Sequence, residues 1–111
     1  MTTFSDYQNR ALTTAVYPTD DMKGIYYTGL GLVNEAGEVA GKIKKMIRDD
    51  GGTFTTERRE AIAAEIGDVL WYCAALAHEM GLSLDDIANA NLAKLGDRAA
   101  RGAIKGDGDN R

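Results

Sequence analysis

Glu35-Ala36-Gly37-Glu38-Val39 and Glu65-Ile66-Gly67-Asp68-Val69 are the two stretches that decide how this chain folds. Each places two carboxylates three residues apart, so that on a helix each pair projects from one side about a turn apart. At about 100° per residue, Ile62, Ile66, Val69, Cys73, Leu76 and Met80 fall on one apolar stripe of the second segment. Glu65 lies at the edge of that stripe and Asp68 roughly 60° further round. The first segment repeats the design, with Leu32, Ala36, Val39, Ile43 and Ile47 as the stripe, Glu35 at its edge and Glu38 beyond. Two helices packed antiparallel on these stripes bring all four carboxylates to one border of the seam.

Anionic oxygens gathered beside a core repel one another and need compensation. A hard divalent cation supplies it: Mg²⁺ or Mn²⁺ takes oxygen ligands in octahedral geometry and keeps room for waters and phosphates. Either pair taken singly reads as an ordinary solvated helix face; the repetition points to a metal site and to phosphate chemistry. Both pairs also carry a glycine between the acids, Gly37 and Gly67, where a helix loses about 1 kcal/mol relative to alanine. Close packing of a helix or a ligand is expected there.

The 111 residues form one domain, and 44% hydrophobic with 27% charged residues is ordinary for a globular chain. A net charge of −4 gives no reason to expect nucleic acid or an anionic membrane as a partner. The single cysteine, Cys73, excludes a disulfide framework and is expected as a buried thiol. With no signal peptide and no long apolar run, the expected compartment is the cytoplasm.

Along the chain, a first helix is expected from Phe4 to about Tyr17, capped by Thr3 or Ser5 and ended by Pro18. A second runs from about Met22 to Ile47, capped by Asp20 or Asp21; Gly24, Gly29 and Gly31 mark a kink or a close approach in its first half. Lys42, Lys44, Lys45 and Arg48 gather toward its C-terminal end, where cations suit the helix dipole. A third helix follows Thr55 or Thr56, reaches about Met80 and stops at Gly81. Ser83 opens a fourth, carrying Asn91, Lys94 and Arg98. Residues 102–111 read as a polar, disordered tail after a domain spanning 1–101. The class is all-α, an antiparallel helical bundle of about four helices. Its core is thin, so a homodimer or homotetramer is expected to complete it.

With these residues in place, the chain resembles the MazG-like family of all-α nucleoside triphosphate pyrophosphohydrolases over roughly Tyr27 to Gly102. The resemblance rests on Gly31-Leu32-Val33-Asn34-Glu35-Ala36-Gly37-Glu38-Val39-Ala40, Glu65-Ile66-Gly67-Asp68-Val69-Leu70-Trp71-Tyr72 and Asn91-Leu92-Ala93-Lys94-Leu95-Gly96-Asp97-Arg98. It implies that Glu35, Glu38, Glu65 and Asp68 bind Mg²⁺, that Asn91, Lys94 and Arg98 face the phosphates, and that Tyr72 touches the nucleotide. It further implies hydrolysis between the α- and β-phosphates to a nucleoside monophosphate and pyrophosphate. Where relatives read Arg-Tyr-Pro-x-Gly, this chain has Arg98-Ala99-Ala100-Arg101-Gly102.

Phosphoanhydride hydrolysis needs charge neutralisation, an aligned water and a base, and the acids and the Lys94/Arg98 pair offer these independently of any family. Glu35 and Glu38 are both candidates for the base. His78 reads as a surface residue, while Trp71, Tyr26 and Tyr27 are candidates for a nucleobase platform or for packing. A carboxylate-bridged redox bundle is disfavoured because the chain has no Glu-x-x-His. Phosphoribosyl-ATP hydrolysis and a non-catalytic helical module are the alternatives.

Overall fold

In the computed structural model, which describes residues 1–111, the chain forms four α-helices and no strand: α1 (Phe4–Ala11), α2 (Lys23–Asp49), α3 (Thr56–Glu79) and α4 (Leu84–Ala100). The all-α class is as the periodicity requires.

Helix starts follow local chemistry. The Thr3 side chain accepts from Asp6 N–H and Asp6 answers the Thr3 N–H, a reciprocal capping box. Thr55 accepts from Arg58 N–H and Ser83 from Asp86 N–H, each satisfying a donor the helix leaves free. Gly81, at φ +72°, ends α3 in a left-handed conformation that costs glycine nothing.

Two boundaries differ from expectation. α1 stops at Ala11 rather than Tyr17, giving way to a short 3₁₀ turn over Leu12–Thr14. Thr13 and Thr14 hydroxyls bond back to the Arg10 and Ala11 carbonyls, and the Trp71 indole N–H also donates to the Ala11 carbonyl. Acceptors that would have continued the helix are thereby taken. α2 begins after Met22 without a side-chain cap; Asp20 instead pairs with Lys23 at 3.0 Å, and Asp21 and Met22 take positive φ values of 49° and 70°.

α2 runs unbroken through its glycines. At Gly31 an added Cβ would run into the Tyr72 ring; at Gly24 it would meet the end of the flexible Glu79 side chain, which can swing aside. At Gly37 and Gly67, where close packing was expected, nothing in the chain approaches.

α2 and α3 form the dominant pair, an antiparallel hairpin closed by the Asp50–Thr55 loop. α1 packs on α3 and α4. The Gln8 side chain, buried, donates to the Ala74 and Leu82 carbonyls and accepts from Leu84 N–H, joining α1 to the α3–α4 junction. The core is offset from the expected stripe: Ala74, Ala75 and Ala77 are fully buried with Ile62 and Met46, whereas Ile66, Ile43, Ile47 and Met80 are exposed and Cys73 is only half-buried. Small residues occupy the centre because long helices close on them at short range.

Only 10 of 111 residues are buried. The accessible surface of 7708 Å² exceeds the roughly 6,000 Å² of a compact monomer of this mass. The radius of gyration, 16.9 Å, exceeds the roughly 13 Å expected for this length. The residues beyond Gly102 form no regular element and fold back on α4 through Asp109. No helix is long and apolar enough to cross a membrane.

Candidate functional site

The hairpin sets the acids. Glu35 projects from α2, and Glu65 and Asp68 from the facing turn of α3; one oxygen of each lies within 4.8 Å of the others. Glu38, one turn beyond Glu35, is exposed and stands outside this group. Three of the four expected carboxylates therefore converge.

Their electrostatics show the strain of that convergence. Partial desolvation, the Asp68 charge, a hydrogen bond with Glu65 and the charges of Glu65 and Glu38 together hold the Glu35 carboxyl above the ordinary carboxylate range. No lysine or arginine forms an ion pair with any of the three. An uncompensated set of hard oxygen donors from two helices fits a divalent cation such as Mg²⁺ or Mn²⁺.

Beside the acids lies a cleft of about 340 Å³ lined by Glu35, Asp68, Trp71 and Tyr72. Its aromatic wall is continuous. Trp71 and Tyr72 meet edge-on at 5.0 Å, Tyr72 leans on Tyr27 at 6.3 Å, and Tyr27 stacks on Tyr17 at 5.1 Å. Burial, the Tyr27 hydroxyl and the Glu35 and Asp68 charges raise the Tyr72 phenol above its usual value. Trp71 is fixed from behind by its bonds to the Ala11 carbonyl (3.1 Å) and the Thr14 hydroxyl (3.2 Å). A separate cleft of about 560 Å³, lined by Thr2, Tyr7, Arg10, Ala11 and Thr13, has no carboxylate in its lining.

Two participants escaped the sequence reading. Tyr17, expected at the end of the first helix, lies instead in the connection between α1 and α2. Burial first and the Asp68 charge second raise the Tyr7 phenol above its usual value.

α4 is placed differently from expectation. Asn91 lines a cleft with Leu70 and Cys73, which lie roughly 140–200° around α3 from Asp68. Lys94 and Arg98 pair with Asp109. A single protomer therefore does not bring Asn91, Lys94 and Arg98 into the carboxylate cleft. His78 is exposed, as expected.

An all-helical hairpin with acids converging beside an aromatic cleft defines a class of proteins built on paired acidic helices. Within that class the chain belongs to the MazG family: the MazG nucleotide pyrophosphohydrolase domain matches residues 27–102. The chain is also similar to the Gene 37 protein of Mycobacterium phage L5, at 47% identity over 109 residues, covering 95% of this chain and 96% of that protein. No solved structure matches it.

Proposed function

We propose that this protein hydrolyses ribo- or deoxyribonucleoside triphosphates between the α- and β-phosphates, releasing a nucleoside monophosphate and pyrophosphate, with Mg²⁺ held by Glu35, Glu65 and Asp68 and Mn²⁺ as a substitute. The observation that carries this reading is the convergence of three unpaired carboxylates beside an aromatic cleft in a chain of the MazG family. When bound, the cation neutralises phosphate charge and activates a water.

The chain's own residues do the rest. Glu38, outside the cluster and open to solvent, accepts the proton that the attacking water loses and passes it on. Tyr72 and Trp71 present ring faces and edges against which the nucleobase packs. Asn91, Lys94 and Arg98 bind phosphate oxygens, and they do so from a second copy, since α4 of the same protomer lies on the far side of α3. The excess surface and the exposed Leu30, Val33 and Ile66 around the hairpin support a homodimer or homotetramer.

The test is product analysis: a panel of nucleoside triphosphates with Mg²⁺, assayed for monophosphate and pyrophosphate, with Glu35→Gln and Asp68→Asn alongside. Pyrophosphate release lost in both variants supports the reading; release of single phosphates, or no turnover by folded wild type, contradicts it.

A further inference from the structure

The last ten residues are held in place by charge. Gly102, Gly106 and Gly108 take φ values of +68°, +134° and +77°, turning the chain back on itself. The Arg111 guanidinium closes the loop by donating to the Ile104 and Gly108 carbonyls, and Arg101 donates to the Arg111 carbonyl oxygen. This folding delivers Asp109 to α4, where one oxygen accepts from Lys94 Nζ at 3.1 Å and from Arg98 Nη2 at 3.3 Å.

The unused donors are the informative part. The Arg98 side chain is only 5% exposed, yet Nη2 alone is bonded, to the Asp109 carboxylate and backbone carbonyl. Nε and Nη1 make no bond within the chain, and neither is wholly enclosed. Lys94 likewise keeps two of its three protons free. Two like charges four residues apart on a helix would otherwise repel and roam. One shared carboxylate pairs with both and leaves a net positive charge with donors to spare.

We propose that Asp109 is a positioning residue, which holds Lys94 and Arg98 as a preformed clamp for the polyphosphate of the substrate. Fixing both side chains before binding lowers the ordering cost that binding would otherwise carry. The proposal rests on the reading of α4 as the phosphate-facing helix.

The test compares full-length wild type, Asp109→Asn, Asp109→Glu and Lys94→Ala, using inorganic triphosphate with Mg²⁺ in a calorimetric titration and nucleoside triphosphate in steady-state assays. Asp109→Asn is expected to weaken triphosphate binding about tenfold and to raise KM by a similar factor with kcat within about twofold, and Asp109→Glu to recover most of the loss. Because Asp109 is 80% exposed, its melting temperature should stay near that of wild type, which separates positioning from folding. Unchanged or tighter binding in Asp109→Asn, while Lys94→Ala binds weakly, overturns the proposal; tighter binding would mean that the tail competes with phosphate. Wild-type binding by Lys94→Ala overturns it differently, by showing that α4 does not meet the phosphates.

Discussion

Glu35 on α2 and Asp68 on α3 hold carboxylate oxygens within 4.8 Å of each other, with Glu65 as the third member and no basic side chain paired to any of them. The hairpin thus carries a local repulsion that a bound cation would relieve. At ten times its dissociation constant Mg²⁺ should stabilise the fold by about 1.4 kcal/mol, or about 5–10 °C in melting temperature. Asp68→Asn should remove most of that shift. Thermal unfolding in EDTA and in Mg²⁺ checks it.

The same cluster fixes a pH response. Glu35 holds its proton more tightly in the folded than in the unfolded chain, so its charged form opposes folding at neutral pH. That penalty is relieved as pH falls through the raised folded value, and no more is gained below the ordinary carboxylate range. Metal-free protein should therefore melt at a higher temperature as pH drops from 7 through that window, and the affinity for Mg²⁺ should fall over the same window. Melting curves across pH in EDTA, repeated with Glu35→Gln to flatten the response, test the assignment.

Glycines divide by what surrounds them. A methyl at Gly31 would collide with the Tyr72 ring, which Trp71 and Tyr27 hold in place, so Gly31→Ala should cost about 1–3 kcal/mol and disturb the cleft. Gly37 has open space around it within the chain, so Gly37→Ala should stabilise the helix by about 0.5–1 kcal/mol. Chemical denaturation of both variants gives the two signs.

Gln8 is the polar tie between α1 and the α3–α4 junction. Gln8→Ala removes the bonds to the buried Ala74 carbonyl, the part-buried Leu82 carbonyl and the Leu84 N–H, at a cost of about 2–4 kcal/mol in urea unfolding.

Much of this architecture is legible in the sequence. Thr3, Thr55, Ser83 and Gly81 punctuate the helices by local chemistry alone, and the repeated acidic pairs announce the α2–α3 hairpin. Periodicity, however, gives a helix a face without saying which neighbour meets it. Of the expected stripe, Ile62 is buried and Val69, Cys73 and Leu76 are half-buried, but Ile66 and Met80 are exposed in one protomer, while Ala74, Ala75 and Ala77 are the most deeply buried residues of α3. Contacts between residues far apart in sequence were equally hidden: Trp71 to the Ala11 carbonyl, Gly31 beneath Tyr72, and Arg98 to Asp109. The family resemblance implied that α4 and the acids share one site, without indicating that α3 stands between them.

That separation yields a prediction about assembly. Glu35→Gln and Lys94→Ala proteins are each expected to be inactive alone. After unfolding and refolding together, mixed dimers would contain one intact site, giving about a quarter of wild-type activity from random pairing. No recovery in the mixture, with both variants dimeric, would place α4 and the acids of one protomer in the same site.

The most direct measurement is pyrophosphate release from a nucleoside triphosphate as Mg²⁺ is titrated, for wild type and for Asp68→Asn verified as folded. The account predicts no release without metal, saturable activation by Mg²⁺ and at least a hundredfold loss in the variant, as expected when a metal-holding carboxylate is removed. Turnover in EDTA, or wild-type rates from Asp68→Asn, would contradict it.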